Sequence, residues 1–156
     1  MFVVDTNVLV YAANREAELH QACQRLIEKW RERASPWYLP WPVCYEFMRV
    51  CTHRNVLPHP WSVAGAWHFL QSILDAPSVG LLLPTEQHAA VLSEVLAEVP
   101  HLRGNILHDV HTAVLMREHG IKEIYTWDTD FHRFPSLPCS IRWGDRVGHG
   151  SDSASR

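Results

Sequence analysis

The sequence lacks a long apolar run, a charged leader and a paired-cysteine motif, and each absence excludes a class of protein. No apolar stretch approaches the roughly 20 residues that a membrane-spanning helix needs. The N-terminus has no positively charged segment, and Asp5 interrupts its apolar run, so no signal peptide is expected. The four cysteines show no CxxC spacing. They favour buried, reduced thiols, which suit a reducing cytoplasm.

The sequence also has little net charge, with a formal value of −3 over 156 residues. Without an overall basic field, such a chain attracts nucleic acid only through local arginine or lysine groups or a bound metal. The composition, 47% apolar and 20% charged, is that of a globular protein. We expect one domain over residues 1–146 and a flexible tail over 147–156, with no internal repeat.

Short apolar stretches alternate with amphipathic stretches along the chain. Strands are predicted at 2–4, 37–39, 79–83, 123–127 and 140–143. Helices are predicted at 18–33, 43–53, 61–75 and 105–119, and a further helix is predicted to follow Thr85, which would cap it. Gly120 is in the usual position to close the last of these helices. This order predicts a single α/β domain, with a central parallel sheet of about four to five short strands and helices on both faces.

Acidic residues stand where two of the predicted strands end. The stretch "MFVVDTN" runs into Asp5, and "EIYTWDTD" runs into Asp128 and Asp130. Because sites in open α/β sheets form at the carboxyl ends of parallel strands, we expect these acids at one edge of the sheet. Asp109, in the first turn of its helix, and Glu46, beside an apolar helical stripe, are also expected to point inward or nearly so.

Carboxylates that converge in this way repel one another unless they are protonated or neutralised by a cation. Hard oxygen ligands suit Mg²⁺ or Mn²⁺, and such ions assist the hydrolysis of phosphodiesters. Thr6, Asn7 and Thr126 supply short polar groups that could orient the carboxylates. Each acid taken alone also has a plainer interpretation, as a turn residue, a helix cap or a helix-flank residue. Spacing alone leaves both interpretations open.

Four segments resemble, in their order along the chain, a PIN-domain ribonuclease of the VapC toxin type. They are "VVDTNVLVYA", "YEFMRVCTH", "GNILHDVHTAVLMREHG" and "IYTWDTDFHRF". The acidic quartet of that family matches Asp5, Glu46, Asp109 and Asp128, with Asp130 as an auxiliary acid and Thr6, Asn7 and Thr126 as the accompanying polar residues. The resemblance implies a Mg²⁺- or Mn²⁺-dependent endoribonuclease toxin, usually dimeric, that cuts structured RNA such as tRNA or rRNA and is silenced by a cognate antitoxin.

Other functions stay open at this point. A non-cleaving PIN-like module would bind RNA or protein, although such a module would usually have lost one of the acids. A DNA nuclease or a housekeeping RNA-processing enzyme could share the fold. The "HD" pair at His108 and Asp109 also occurs in a helical class of metal phosphohydrolases, in which the strand-ending acids Asp5 and Asp128 would have no role.

Several residues near the acids are expected to have supporting or ordinary roles. Arg49 and Arg133 are the leading candidates for holding the phosphates that flank the cut, unless they pair internally with the acids. His108, His111 and His132 are expected to be ordinary surface or partly buried histidines. Trp127 is expected to pack against the protein rather than to stack on a base.

Overall fold

A computed structural model describes residues 1–99, 104, 106–128 and 134, together with the backbone of 140–142. In order along the chain, the described elements are β1 Val3–Val4, α1 Thr6–Ala13, α2 His20–Arg31, β2 Trp37–Pro40, α3 Trp41–Thr52, α4 Val63–Leu74, β3 Val79–Leu82, α5 His88–Glu98, α6 Ile106–Glu118, β4 Glu123–Tyr125 and β5 Ser140–Arg142. Strands alternate with helices, so the predicted α/β architecture is confirmed.

The strands form one sheet in the order β3-β2-β1-β4-β5, and every neighbouring pair is parallel. Strand β1 lies at the centre, with Val3 paired to Tyr38 on one side and to Ile124 on the other. Each strand therefore ends at the same edge of the sheet. The predicted parallel sheet is confirmed, with five strands among the described residues.

Two apolar clusters cover the two faces of the sheet. Because side chains alternate along a strand, Val4 packs with residues of α1 to α4, whereas Val3 packs with residues of α5 and α6. Two aromatic side chains in the first cluster, Trp30 and Trp37, are almost fully buried. The central strand is thus buried on both sides, as its run of apolar residues predicts.

Helix α1 is not predicted from the sequence. Thr6, Val8 and Val10 are β-branched, and by local preference they favour extended chain. In the structure the Asp5 side chain accepts a hydrogen bond from the Thr6 N–H at 2.7 Å and caps the helix. Burial of Val8 and Leu9 then outweighs the local preference. The acid that ends β1 therefore also begins α1.

Two smaller predictions about helix ends have different outcomes. Gly120 follows α6 with a φ of 64°, as expected of a left-handed residue that closes a helix. The prediction that Thr85 caps the next helix is wrong. Helix α5 begins at His88 after Gln87 and without a side-chain cap. The Thr85 hydroxyl lies before the helix, where it donates to Glu118 Oε1 at 2.5 Å and accepts from the Gln87 N–H at 3.2 Å.

The remaining predictions on organisation are only partly within the described residues. Cys23, Cys44 and Cys51 are buried free thiols, as expected, whereas Cys139 lies outside the described residues. The predicted boundary at residue 146 and the tail after it also lie outside them. None of the helices in the described part of the chain has the length and apolar character that crossing a membrane requires.

Candidate functional site

Four acids from four separate elements line one cleft, which has a volume of about 320 Å³. The lining residues are Asp5, Thr6, Asn7, Val10, Tyr11, Glu46, Val50, His108, Asp109 and Asp128. Topology explains the convergence, since β1 and β4 are adjacent parallel strands whose following residues meet at one edge. Helix α3 follows β2, the other neighbour of β1, and α6 leads into β4. The structure thus brings the predicted quartet together.

A hydrogen-bond network fixes the carboxylate of Asp5. Its Oδ2 accepts from the Thr126 hydroxyl at 2.6 Å and from Asn7 Nδ2 at 2.9 Å, while Oδ1 accepts from the Thr6 N–H. The Thr126 hydroxyl in turn accepts from the Asp128 N–H at 2.8 Å. Thr126 is fully buried. The three polar residues predicted from the sequence therefore contact the acids directly or through one another.

The electrostatics of this cleft disfavour negative charge at its centre. Asp5 is only 8% exposed. Burial raises the pKa of Asp5 to about 6, against the opposing effect of the hydrogen bonds from Thr126 and Thr6, and the negative charges of Glu46 and Asp128 raise it further. A cation placed among these carboxylates would therefore favour the ionised form of Asp5.

Glu46 is held less firmly than Asp5. The Thr6 hydroxyl donates to its Oε2 at 3.2 Å, and Arg49, one turn along α3, contacts its Oε1 at 3.3 Å. The Arg49 side chain is 61% exposed, and exposed ion pairs of this kind stabilise proteins by about 1 kcal/mol or less. Glu46 thus has a weak cationic partner at the rim of the cleft.

The chemistry of the donor set fits Mg²⁺ or Mn²⁺, which prefer carboxylate oxygens. Among the described residues, no three His, Cys, Asp or Glu side chains are placed so that together they hold a metal ion. The hydrogen bonds to Asp5 use three of the roughly four acceptor positions of a carboxylate, which leaves one for a cation. This arrangement fits an ion that keeps several waters and contacts few carboxylates directly, as Mg²⁺ does.

Some predicted site residues cannot be placed in the cleft. Asp130, Arg133 and His132 lie outside the described residues. His108 is exposed at the edge of the cleft. The ring of His111 is half-buried, and its Nε2 has no hydrogen-bond partner among the described residues. Burial lowers the pKa of His111, and the nearby His88 lowers it further.

Sequence reasoning missed the apolar part of the cleft. Val10, Tyr11 and Val50 line it beside the acids. Two of them follow Asn7 at helical spacings of three and four residues, so they share its face of α1. That spacing would have indicated their position only if residues 6–13 had been predicted as a helix.

A larger cavity, of about 420 Å³, lies elsewhere and shows that size alone does not identify the site. It is lined by Ala13, Asn14, Arg15, Glu16, Leu57, Pro58, His59 and Trp61. The single acid of this set, Glu16, lies 3.7 Å from the His59 ring. No cluster of carboxylates lines this cavity among the described residues.

Comparison with known proteins gives a family and several relatives. A family model described as PIN domain matches residues 2–137. Ribonuclease VapC37 of Mycobacterium tuberculosis is 33% identical over 143 residues, which cover 92% of this chain and 95% of that protein. VapC ribonuclease Mb2897 of Mycobacterium bovis is 34% identical over 146 residues, which cover 92% of this chain and 93% of that protein.

Two solved structures have a similar fold. Mycobacterium tuberculosis VapC20, described as a Sarcin-Ricin loop cleaving toxin, has a TM-score of 0.63 at 20% identity, over 85% of this chain and 93% of that chain. VapBC2 from Rickettsia felis, bound to a DNA fragment from its promoter, has a TM-score of 0.60 at 17% identity, over 90% of this chain and 97% of that chain. At these identities the likeness concerns the fold.

Proposed function

The chain belongs to the PIN-domain family and is a ribonuclease of the VapC type, and we propose that it is the toxin of a toxin–antitoxin pair, a divalent-metal-dependent endoribonuclease that cuts structured RNA. The observation that carries the proposal is the convergence of Asp5, Glu46, Asp109 and Asp128 on one cleft. The family match and the relatives confirm the resemblance of the sequence to this family. The metal, the substrate and the roles of individual residues are the proposed part.

In this proposal, Mg²⁺ or Mn²⁺ would be bound by Asp5, Asp109 and Asp128, in part through the waters that the ion keeps, with Glu46 at the rim and Asp130 as an auxiliary acid. A bound divalent ion would supply an activated water for in-line attack on a phosphodiester. Thr126 and Asn7 fix the orientation of Asp5, and Thr6 orients Glu46. The Thr126 hydroxyl also accepts from the backbone N–H of Asp128, which joins the backbone of Asp128 to the carboxylate of Asp5.

Cleavage of total RNA tests the reaction and its metal. Purified protein should cut RNA in the presence of Mg²⁺ or Mn²⁺, lose activity in EDTA, and be inhibited by Ca²⁺, whose larger and looser coordination misplaces the water. Mapping the new RNA ends would identify the substrate. Full cleavage in excess EDTA would contradict the metal-dependent mechanism. RNA that is bound but never cut would instead favour the non-cleaving module.

Thermal melting tests metal binding without relying on activity. An ion at 100 times its Kd stabilises the folded protein by about 2.7 kcal/mol, so Mn²⁺ should raise the melting temperature. Asp128→Asn removes one of the proposed ligands and should reduce that rise. An equal rise in both proteins would place Mn²⁺ elsewhere on the molecule.

The proposal includes a cognate antitoxin and a homodimer. Co-expression of the protein encoded beside this chain should relieve the growth arrest that the chain alone causes. Light scattering of the purified protein should give twice the monomer mass. Growth that stays arrested with every adjacent reading frame would argue against the toxin–antitoxin assignment.

A further inference from the structure

One wall of the acidic cleft is apolar. Val10 and Tyr11 on α1 and Val50 on α3 line it, and all three side chains are half-buried. Apolar groups contribute nothing to holding a hard cation, whose ligands are oxygens. The wall therefore offers a surface to a part of the substrate other than the phosphate.

The aromatic ring in this wall is fixed relative to the acids. The rings of Tyr11 and Trp127 meet edge to face, with centroids 5.8 Å apart and planes at 89°. The backbone N–H of Trp127 donates to Asn7 Oδ1 at 3.1 Å, and Asn7 Nδ2 donates to Asp5. At the other end of the same helix, the Tyr11 carbonyl oxygen lies 3.2 Å from His20 Nδ1 of α2. The ring is thus positioned by the same network that positions the carboxylates.

We propose that Tyr11 stacks on an unpaired base next to the scissile phosphate, with Val10 and Val50 beside that base and Trp127 packed against the Tyr11 ring. The proposal rests on the proposed function, because it assigns the substrate of the same cleft. It follows that the RNA is single-stranded at the cut, since a base stacked within a duplex does not present its face to a side chain.

Charge gives a second reason for a stacking contact. The chain carries a net charge of −3, and the cleft itself is acidic, so phosphates gain little from the general field of the protein. Stacking of a base on an aromatic ring is independent of that field and tolerates any base. A half-buried tyrosine beside the acids supplies affinity where electrostatic attraction is weak.

Two RNA probes separate stacking from phosphate binding. The first is a short oligouridylate, and the second is the same ribose-phosphate chain without bases. Affinities are measured by fluorescence anisotropy with Asp128→Asn protein, so that neither probe is cut. Stacking of one base is expected to favour oligouridylate by about tenfold in Kd.

Three further changes are each made in the Asp128→Asn protein. Tyr11→Leu should remove the preference for oligouridylate and leave the affinity for the abasic chain unchanged, while Tyr11→Phe should keep the preference. Tyr45→Leu is the matched control, because Tyr45 is 69% exposed and lines a separate pocket with Trp41 and Trp67. It should change neither affinity.

The outcomes separate this inference from the proposed function. A tenfold preference that survives Tyr11→Leu overturns it, as does equal binding of the two probes by the Asp128→Asn protein. Loss of affinity for both probes in Tyr11→Leu shows a structural role for Tyr11 and also overturns it. Failure of the unchanged protein to cut total RNA with Mg²⁺ or Mn²⁺ overturns the proposed function instead, whatever the two probes show.

Discussion

Asp5 and Glu118 are both buried carboxylates that bind a threonine hydroxyl, yet their surroundings shift the two pKa values in opposite directions. Asp5, at the end of β1, accepts hydrogen bonds from neutral groups and has Glu46 and Asp128 as negative neighbours. Burial is the largest effect there, and it raises the pKa of Asp5 to about 6. At the rim of the same cleft, Arg49 contacts Glu46, and the Arg49 side chain is 61% exposed.

Glu118, the last residue of α6, has partners that favour its ionised form. Its Oε1 accepts from both the hydroxyl and the N–H of Thr85, and its Oε2 lies 2.6 Å from His88 Nδ1. Burial raises the pKa of Glu118, but the hydrogen bonds from Thr85 and His88 outweigh burial, and the net shift is downward. The side chain is fully buried, at 0% exposure.

The two carboxylates differ as a structural acid and the proposed metal-binding acid should differ. An acid at the C-terminus of a helix is disfavoured by the helix dipole, so Glu118 needs its partners, and through them it joins α6 to the start of α5. Asp5 lies among like charges, which protonation or an added cation would neutralise. Within the described part of the chain, the hydrogen-bond partners of Asp5 are neutral, whereas Glu118 has the His88 ring as a partner, and this difference distinguishes the two carboxylates.

The largest effect should come from matched carboxylate-to-amide changes at the two places. Asp128→Asn should lower RNA cleavage by more than about 100-fold, because even residues that only support metal ligands contribute 10–100-fold. Its melting temperature should be equal or raised, since the change removes a negative charge near Asp5. Glu118→Gln should cut at the normal rate below its own melting temperature. Cleavage assays and thermal melts of both variants provide the measurement.

Two results would contradict the different roles of the cleft acids and Glu118. A clear loss of stability in Asp128→Asn would show that the acids of the cleft are structural. Loss of cleavage in folded Glu118→Gln would show that the cluster at the end of α6 takes part in the reaction.

The next largest effect is the loss of stability in Glu118→Gln. The amide replaces one acceptor by a donor, so a bond from Thr85 or His88 is lost at a partly buried position, at a cost of about 1 kcal/mol. For a chain of 156 residues, each kcal/mol of lost stability lowers the melting temperature by about 2–4 °C. His88→Gln should cost a similar amount, and the double variant should cost less than the two changes added. Strict additivity would mean that the two side chains do not act as a pair.

A smaller effect is a pH dependence of opposite sign at the two carboxylates. The raised pKa of Asp5 means that the folded state binds more protons between its ordinary value of 3.8 and about 6, so stability falls as pH rises through this range. The lowered pKa of Glu118 means that its contribution is present above the ordinary value of 4.5 and is lost as pH falls below it.

Melts of three proteins across the acid range measure these slopes. As pH rises from 4 to 6, the melting temperature of Asp5→Asn should rise relative to that of the unchanged protein. The melting temperature of Glu118→Gln should lie below that of the unchanged protein, and this difference should shrink as pH falls below 4.5. Parallel curves for all three proteins would mean that neither carboxylate titrates differently in the folded state.

The position of the proposed metal-binding acid Asp5 is easier to predict from the sequence than the contacts of Glu118. Asp5 and Asp128 each end an apolar strand, and the rule that parallel strands end at one edge brings them together without knowledge of side-chain contacts. Glu118 and His88 are 30 positions apart on two helices, and no motif joins them. Thr85 was assigned to a helix cap because its local sequence permits one, whereas a distant carboxylate binds it in the structure.

The position of the apolar wall also needed the structure. Helix α1 is short and rich in β-branched residues, so its local preference does not indicate that Asn7, Val10 and Tyr11 share a face. Burial against the sheet decides the helix. Predictions that depend on topology were therefore confirmed, whereas contacts that depend on tertiary burial were not foreseen.

The smallest effect concerns Arg49, which decides whether Glu46 resembles Asp5 or Glu118. Its contact with Glu46 is 3.3 Å long and largely exposed, so the pair contributes about 1 kcal/mol or less to stability. We expect Arg49 to hold a phosphate that flanks the cut. In Asp128→Asn protein, Arg49→Ala should lower the salt slope of single-stranded RNA binding by about 0.7 and leave the melting temperature almost unchanged.

Arg117→Ala is the matched control, because Arg117 contacts Glu98 and Glu94 at 2.9 and 3.1 Å and does not line the cleft. It should lower the melting temperature slightly and leave the salt slope unaltered. If Arg49→Ala behaves as this control does, Glu46 is a structural acid like Glu118, and the phosphate contact is excluded.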